Sequence, residues 1–166
     1  AFRKAIEYGE PKAVELNEIA ITHTRNRDFN QALEVWIEAI EHDPDWGVLF
    51  ANAVKAATIL ERDELARSLF LRGLRAERFE ERMALIWTDY LVANGDEEEA
   101  LEDYRIALNA HPEAARLQYY YAATLREEDE EEQALVEFEK AIEVAKADGD
   151  RMTQAAAEKA AFALNH

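Results

Sequence analysis

Apolar and polar positions along this chain alternate in steps of three and four, the spacing that puts side chains on one face of a helix. The stripe itself recurs every 34 residues. Ala32, Ala66, Ala100 and Ala134 open it, and four residues on stand Trp36, Phe70, Tyr104 and Phe138. Three further come Ala39, Gly73, Ala107 and Ala141, each followed by an aliphatic residue: Ile40, Leu74, Leu108 and Ile142. A period held over three intervals without insertion means one supersecondary unit copied and stacked. One step back from Trp36, Ala39 and Ile40 lie Phe2, Ala5 and Ile6. Residues 1–12 are therefore expected to hold the second helix of a truncated preceding unit, as in a piece cut from a longer array.

Each unit reads as two helices, and translation by the period predicts helices near 1–8, 13–25, 29–41, 46–60, 63–77, 80–93, 97–109, 113–127, 130–146 and 150–164. Asp28 with Gln31 has the form of a capping box, the acid accepting from an orphan amide at the helix start. Gly95-Asp96 with Glu99 repeats the device, the glycine taking a left-handed turn. Pro44 and Pro112 mark breaks after second helices, since proline cannot continue a helix. The acidic run from Glu127 to Glu132 falls on a turn and the first turn of a helix, where acids oppose the dipole favourably. The alanines at the motif positions let paired helices approach closely, and the aromatics fill the space against the next unit.

Composition narrows the function. The 166 residues are 49% apolar, with five Gly and three Pro, which suits a helical domain with a substantial core. The formal net charge of −17 argues against nucleic acid and anionic membranes as partners. No apolar run is long enough for a membrane span, so no membrane insertion is expected. The chain has no cysteine, which excludes disulfides and thiolate metal sites.

The 34-residue helix–turn–helix period and its residues resemble the tetratricopeptide repeat (TPR) family. Ile19-Ala20 and Tyr121-Ala122 supply the family's large–small pair in the first helix. Ala32, Trp36, Ala39, Pro44 and Ala100, Tyr104, Ala107, Pro112 supply its second-helix positions. The resemblance implies an all-α TPR-type α-solenoid, a right-handed superhelix of antiparallel helix pairs. It divides the chain into four repeats, 13–46, 47–80, 81–114 and 115–148, followed by a capping helix over 149–166. The second repeat departs most: Val54 replaces a small residue, Gly73 replaces Ala, and Arg78 stands where the family has Pro. Thr88 takes the small position of the third.

By resemblance, first helices line a concave groove. The groove-facing steps hold Asn17 and Arg25 in the first copy, Lys55 in the second, Arg82 and Asp89 in the third, and Arg116, Tyr119 and Arg126 in the fourth. Five cations in a strongly acidic chain would focus field lines onto a partner carboxylate. Arg can hold a carboxylate bidentately, and Tyr119 can pack an apolar anchor. Asn17, Asn52 and Arg82 fall on three steps of the carboxylate clamp of chaperone-binding members. Ile21 and Ile86 occupy two others that should be polar, so chaperone-tail binding is not expected.

No Gly-rich phosphate loop, nucleophile elbow or zinc spacing occurs, and no cofactor or catalytic residue is expected. His42-Asp43-Pro44-Asp45 lacks helical ligand pairing, and Trp46 and Trp87 read as core. The expected function is a non-catalytic module that binds a peptide or helix of another protein, one with acidic groups fitting the groove. Two alternatives stand beside it: a regulatory or substrate-recruiting domain of a larger enzyme, and a self-associating assembly scaffold.

Overall fold

The computed structural model describes residues 9–166, and every regular element among them is an α-helix. The helix expected over 1–8 lies outside the described residues. Two compact units divide the chain, one ending at Tyr90 and the other starting at Leu91.

The first unit contains α1 (Pro11–Arg25), α2 (Phe29–His42), α3 (Gly47–Ile59), α4 (Asp63–Gly73) and most of α5 (Glu81–Ala93). α1 packs on α2 and α3 on α4, while α3 also packs back on α2. The second unit contains α6 (Glu97–Ala110), α7 (Ala115–Glu127), α8 (Glu131–Asp148) and α9 (Arg151–Asn165). There α7 packs on α6 and α8, and α9 lies against α8 with a smaller contact to α7.

Why the helices stop where they do is visible in the turns. Arg27 (φ 60°), Glu61 (φ 55°), Gly95 (φ 81°) and Asp129 (φ 60°) are all left-handed, one per period. The residue after each donates its N–H five residues back, to the carbonyls of His23, Ala57, Leu91 and Leu125 at 2.9–3.0 Å. This Schellman closure satisfies carbonyls that a helix end leaves orphaned. α2 and α6 end at His42 and Ala110, two residues before Pro44 and Pro112.

Caps differ from expectation in part. The Gln31 N–H donates to Asp28 Oδ1 at 3.2 Å, as the sequence predicts. Asp96 makes no side-chain cap bond; the first turn of α6 already holds Glu97, Glu98 and Glu99, whose charges meet the dipole. Asp150 caps α9, accepting from the Thr153 N–H at 3.0 Å. The Thr153 hydroxyl first, then its amide, with smaller help from the Met152 amide and Arg116, hold the Asp150 carboxyl below its ordinary value.

The core is built from the repeated stripe. Ala32, Ala39, Ala66, Ala100, Ala107, Ala134 and Ala141 are wholly buried, and Trp36, Phe70, Tyr104 and Phe138 are buried at the same step of α2, α4, α6 and α8. Ala at such a crossing lets backbones approach, and the aromatic then supplies most of the buried apolar area. Burying one such ring contributes about 1.5–3 kcal/mol. Trp87 is buried and tilted against Phe70, with centroids 6.4 Å apart.

The departures in the second repeat have physical causes. A Cβ on Gly73 would stand 2.1 Å from Met83 Sδ and 2.9 Å from Phe50 Cβ, so the long Met83 side chain fills the place of the missing methyl. α4 stops at Gly73, four residues before the expected end, because the chain turns out to pair with the preceding joint. The Arg78 N–H donates to the Asp45 carbonyl and the Gly47 N–H to the Arg78 carbonyl, both at 3.0 Å. Proline at 78 has no N–H to give. The Arg78 side chain also reaches buried Asp43 at 2.5 Å, and Asp43 Oδ2 accepts from the Glu10 N–H at 3.0 Å. That carboxylate is thereby committed to backbone and guanidinium rather than to a metal.

Candidate functional site: the first-helix faces

In the first unit the first helices are joined by a chain of side-chain hydrogen bonds. The Trp36 Nε1–H donates to Asn17 Oδ1 at 2.8 Å, and the Asn52 amide donates to the same oxygen at 3.1 Å. Arg82 Nη2 then donates to Asn52 Oδ1 at 3.3 Å. The bonds start at the buried indole on α2 and cross α1 and α3 to an exposed guanidinium on α5. Asn17 is buried, so burial of its carbonyl is matched by two donors. Each link restrains the next side chain, and exposed Arg82 ends the series with one of its five donors given to Asn52.

The structure thus brings Asn17 and Arg82 into one network, with Asn52 as the link. Asn17 positions its neighbours and is itself covered. Arg25, Lys55 and Asp89 are exposed and stand outside the network. Among the described residues Arg25, Lys55 and Arg82 enter no ion pair.

In the second unit Arg116 is exposed, and it is the charge that helps depress Asp150. Tyr119 is half-buried, packing on Phe138 at 5.6 Å between centroids and edge-on to exposed Tyr120 at 5.2 Å. The Arg126 guanidinium lies over the same Phe138 ring at 5.7 Å. Tyr119 and Arg126 are therefore joined through one aromatic, with a cation–π contact holding the arginine.

Sequence reasoning passed over the polar groups inside the helix pairs. Gln118 and Glu137 are buried together in the second unit, the amide donating to the carboxylate at 2.5 Å. The period offered a signal: these two fall at the steps that hold Leu16 and Val35 in the first repeat. Among the described residues no group of three or more His, Asp or Glu is placed to hold a metal ion, and no helix is long and apolar enough to cross a membrane.

Helical hairpins in series, each closing on a left-handed corner and carrying a small–aromatic–small–aliphatic second helix, define the tetratricopeptide-type repeat fold. Solved structures agree. The chain is similar over 99% of its length to YrrB, a TPR protein with an unusual peptide-binding site, at TM-score 0.54 and 18% identity over 92% of that chain. It is similar over 90% to MamA, at TM-score 0.59 and 15% identity over 88% of that chain. MamA 41-end from Desulfovibrio magneticus RS-1 matches over 93%, at TM-score 0.55 and 16% identity over 96% of that chain. At such identities the likeness establishes the fold. No protein-family model matches the chain, and no curated protein matches it.

Proposed function

We propose that this chain is a non-catalytic interaction module whose first-helix face holds a carboxylate-bearing segment of another protein. The observation that carries the reading is the hydrogen-bonded chain ending on exposed Arg82; Lys55 and Arg25, exposed on the other first helices of this unit, also enter no ion pair among the described residues. A guanidinium whose stem is already oriented loses less freedom on binding, so more of each charge-assisted bond is realised as affinity. The division into repeats 13–46, 47–80, 81–114 and 115–148 with a cap over 149–166 belongs to the same reading. YrrB, the similar protein with a peptide-binding site, supports a peptide as the kind of partner.

The test is a binding array of Asp- and Glu-containing peptides selected on the wild-type chain and then measured on Arg82→Glu and Arg116→Glu. Arg82→Glu should weaken the selected peptides at least about tenfold, the loss of roughly one charge-assisted bond. Circular dichroism should show helicity unchanged. Peptides that bind Arg82→Glu as tightly as the wild type would remove Arg82 from the first unit's face, and those that bind Arg116→Glu as tightly would remove Arg116 from the second unit's.

A further inference from the structure

We propose a second, separate binding site in the second unit, a pocket between α6, α7 and α8 that takes a basic head group, guanidinium or primary ammonium. Gln118 and Tyr121 form its floor on the side of α7 opposite Arg116 and Ala123, so the site shares no residue with the face discussed above. The cavity measures about 470 Å³, within the range of small-ligand sites. Its walls carry Arg105 from α6 and Glu137, Lys140 and Glu143 from α8.

Three observations point to a cation. First, the fixed charge at depth is negative. Glu137 is 8% exposed, and such burial is unfavourable for a carboxylate unless donors meet it. Second, two of the other three repeats pair their helices without this charge. The steps held by Gln118 and Glu137 hold buried Leu16 and Val35 in the first repeat and buried Phe50 and Leu69 in the second; the third has Ala84 against a buried acid, Asp103, so only the fourth sets its carboxylate against a buried amide. Third, the donors present leave one position replaceable. Gln118 is buried and holds one carboxylate oxygen. The other oxygen accepts from Lys140 at 2.9 Å, and the Lys140 side chain is 56% exposed on a flexible stem. Arg105 is a resident cation of the pocket, held on its floor rather than on Glu137: its Nε–H donates to the Tyr121 hydroxyl at 3.0 Å and its guanidinium lies 5.9 Å from that ring centre. Among the described residues Glu143 enters no ion pair, and it supplies a second, exposed carboxylate to the lining. An incoming guanidinium or ammonium takes the Lys140 place on Glu137 while Lys140 turns to solvent.

The head group could belong to a free compound or to an Arg or Lys side chain of a partner, and the experiment separates the two. The ¹⁵N-labelled chain is titrated by NMR with n-butylguanidine, with its neutral isostere n-butylurea, and with end-blocked Gly-Arg-Gly. Butylguanidine should give saturable shifts at Gln118, Tyr121 and Glu137, and butylurea none. Lys140→Gln, which removes the competing ammonium from an exposed position, should tighten binding at least about threefold, and Glu137→Gln should weaken it about tenfold or more. If the blocked peptide binds as well as butylguanidine, the source is a side chain; if only the free compound binds, it is a small molecule. The proposal is overturned by equal shifts with butylurea, by unchanged affinity in helical Glu137→Gln, or by no saturable shift at about 10 mM in both wild type and Lys140→Gln. Should Glu137→Gln fail to fold, Lys140→Gln decides alone, and no tightening there overturns the site.

Discussion

Gly73 and Met83 form a size-matched pair, and exchanging volume between them tests how the second repeat is packed. Gly73→Ala places a methyl group 2.1 Å from Met83 Sδ, 2.9 Å from Phe50 Cβ and 3.0 Å from Met83 Cε. Met83 is 1% exposed and Phe50 2%, so neither can withdraw into solvent. Two effects of opposite sign compete. Ala in place of Gly gains up to about 1 kcal/mol in a helix interior, and less at Gly73, the last residue of α4. Overpacking of a filled core costs about 1–3 kcal/mol, and a contact this short belongs at the upper end. The net expectation is a loss of about 1–2 kcal/mol. Met83→Val removes the δ atom and alone leaves a cavity, costing about 1–2 kcal/mol. Together the two substitutions relieve each other, with a coupling of about 1 kcal/mol or more. Urea unfolding followed by circular dichroism, on the wild type and three variants, closes the cycle. Additive losses, or a Gly73→Ala variant at least as stable as wild type, would show that Met83 does not occupy the space the glycine leaves.

Two further outcomes follow from the backbone. Arg78→Pro restores the residue the TPR pattern has at this step, yet it should destabilise the chain by about 3 kcal/mol in the same urea assay, since it removes the N–H bond to Asp45 and leaves the buried Asp43 without its guanidinium. Gly95→Ala meets no atom within 4 Å, so its expected loss of about 1 kcal/mol is backbone strain alone, a left-handed penalty partly offset through the unfolded state; Glu61→Gly at the equivalent corner should gain up to about 0.5 kcal/mol by the same reasoning, and thermal melts check both.

Much of the architecture was legible in the chain because it rests on local, periodic causes. The alanines and aromatics at 34-residue spacing report directly which side of each second helix is covered, and Pro44 and Pro112 report where those helices cannot continue. The left-handed corners at Arg27, Glu61 and Asp129 were harder to read. Schellman closure uses main-chain atoms, so residues other than glycine stand there and leave no compositional mark. The early end of α4 was hidden for a related reason: the pairing of Arg78 with Asp45 joins segments 33 residues apart. At the candidate site, Asn17 and Arg82 could be placed on a first-helix face by spacing alone. That Asn17 serves as an acceptor for the Trp36 indole required knowing how far α2 presses onto α1. The Gln118–Glu137 pair escaped notice because acids are so abundant that one more carries little signal until its burial is seen.

The bond from the Trp36 indole to Asn17 gives the chain a native optical reporter. Indole emission shifts with the strength of the acceptor on its N–H, and that acceptor is also held by Asn52, which is bonded in turn to Arg82. Occupancy at the guanidinium can therefore alter the colour of the Trp36 ring, and with Trp46 and Trp87 replaced by Phe, titrations on this unit can be followed by intrinsic fluorescence without an attached dye.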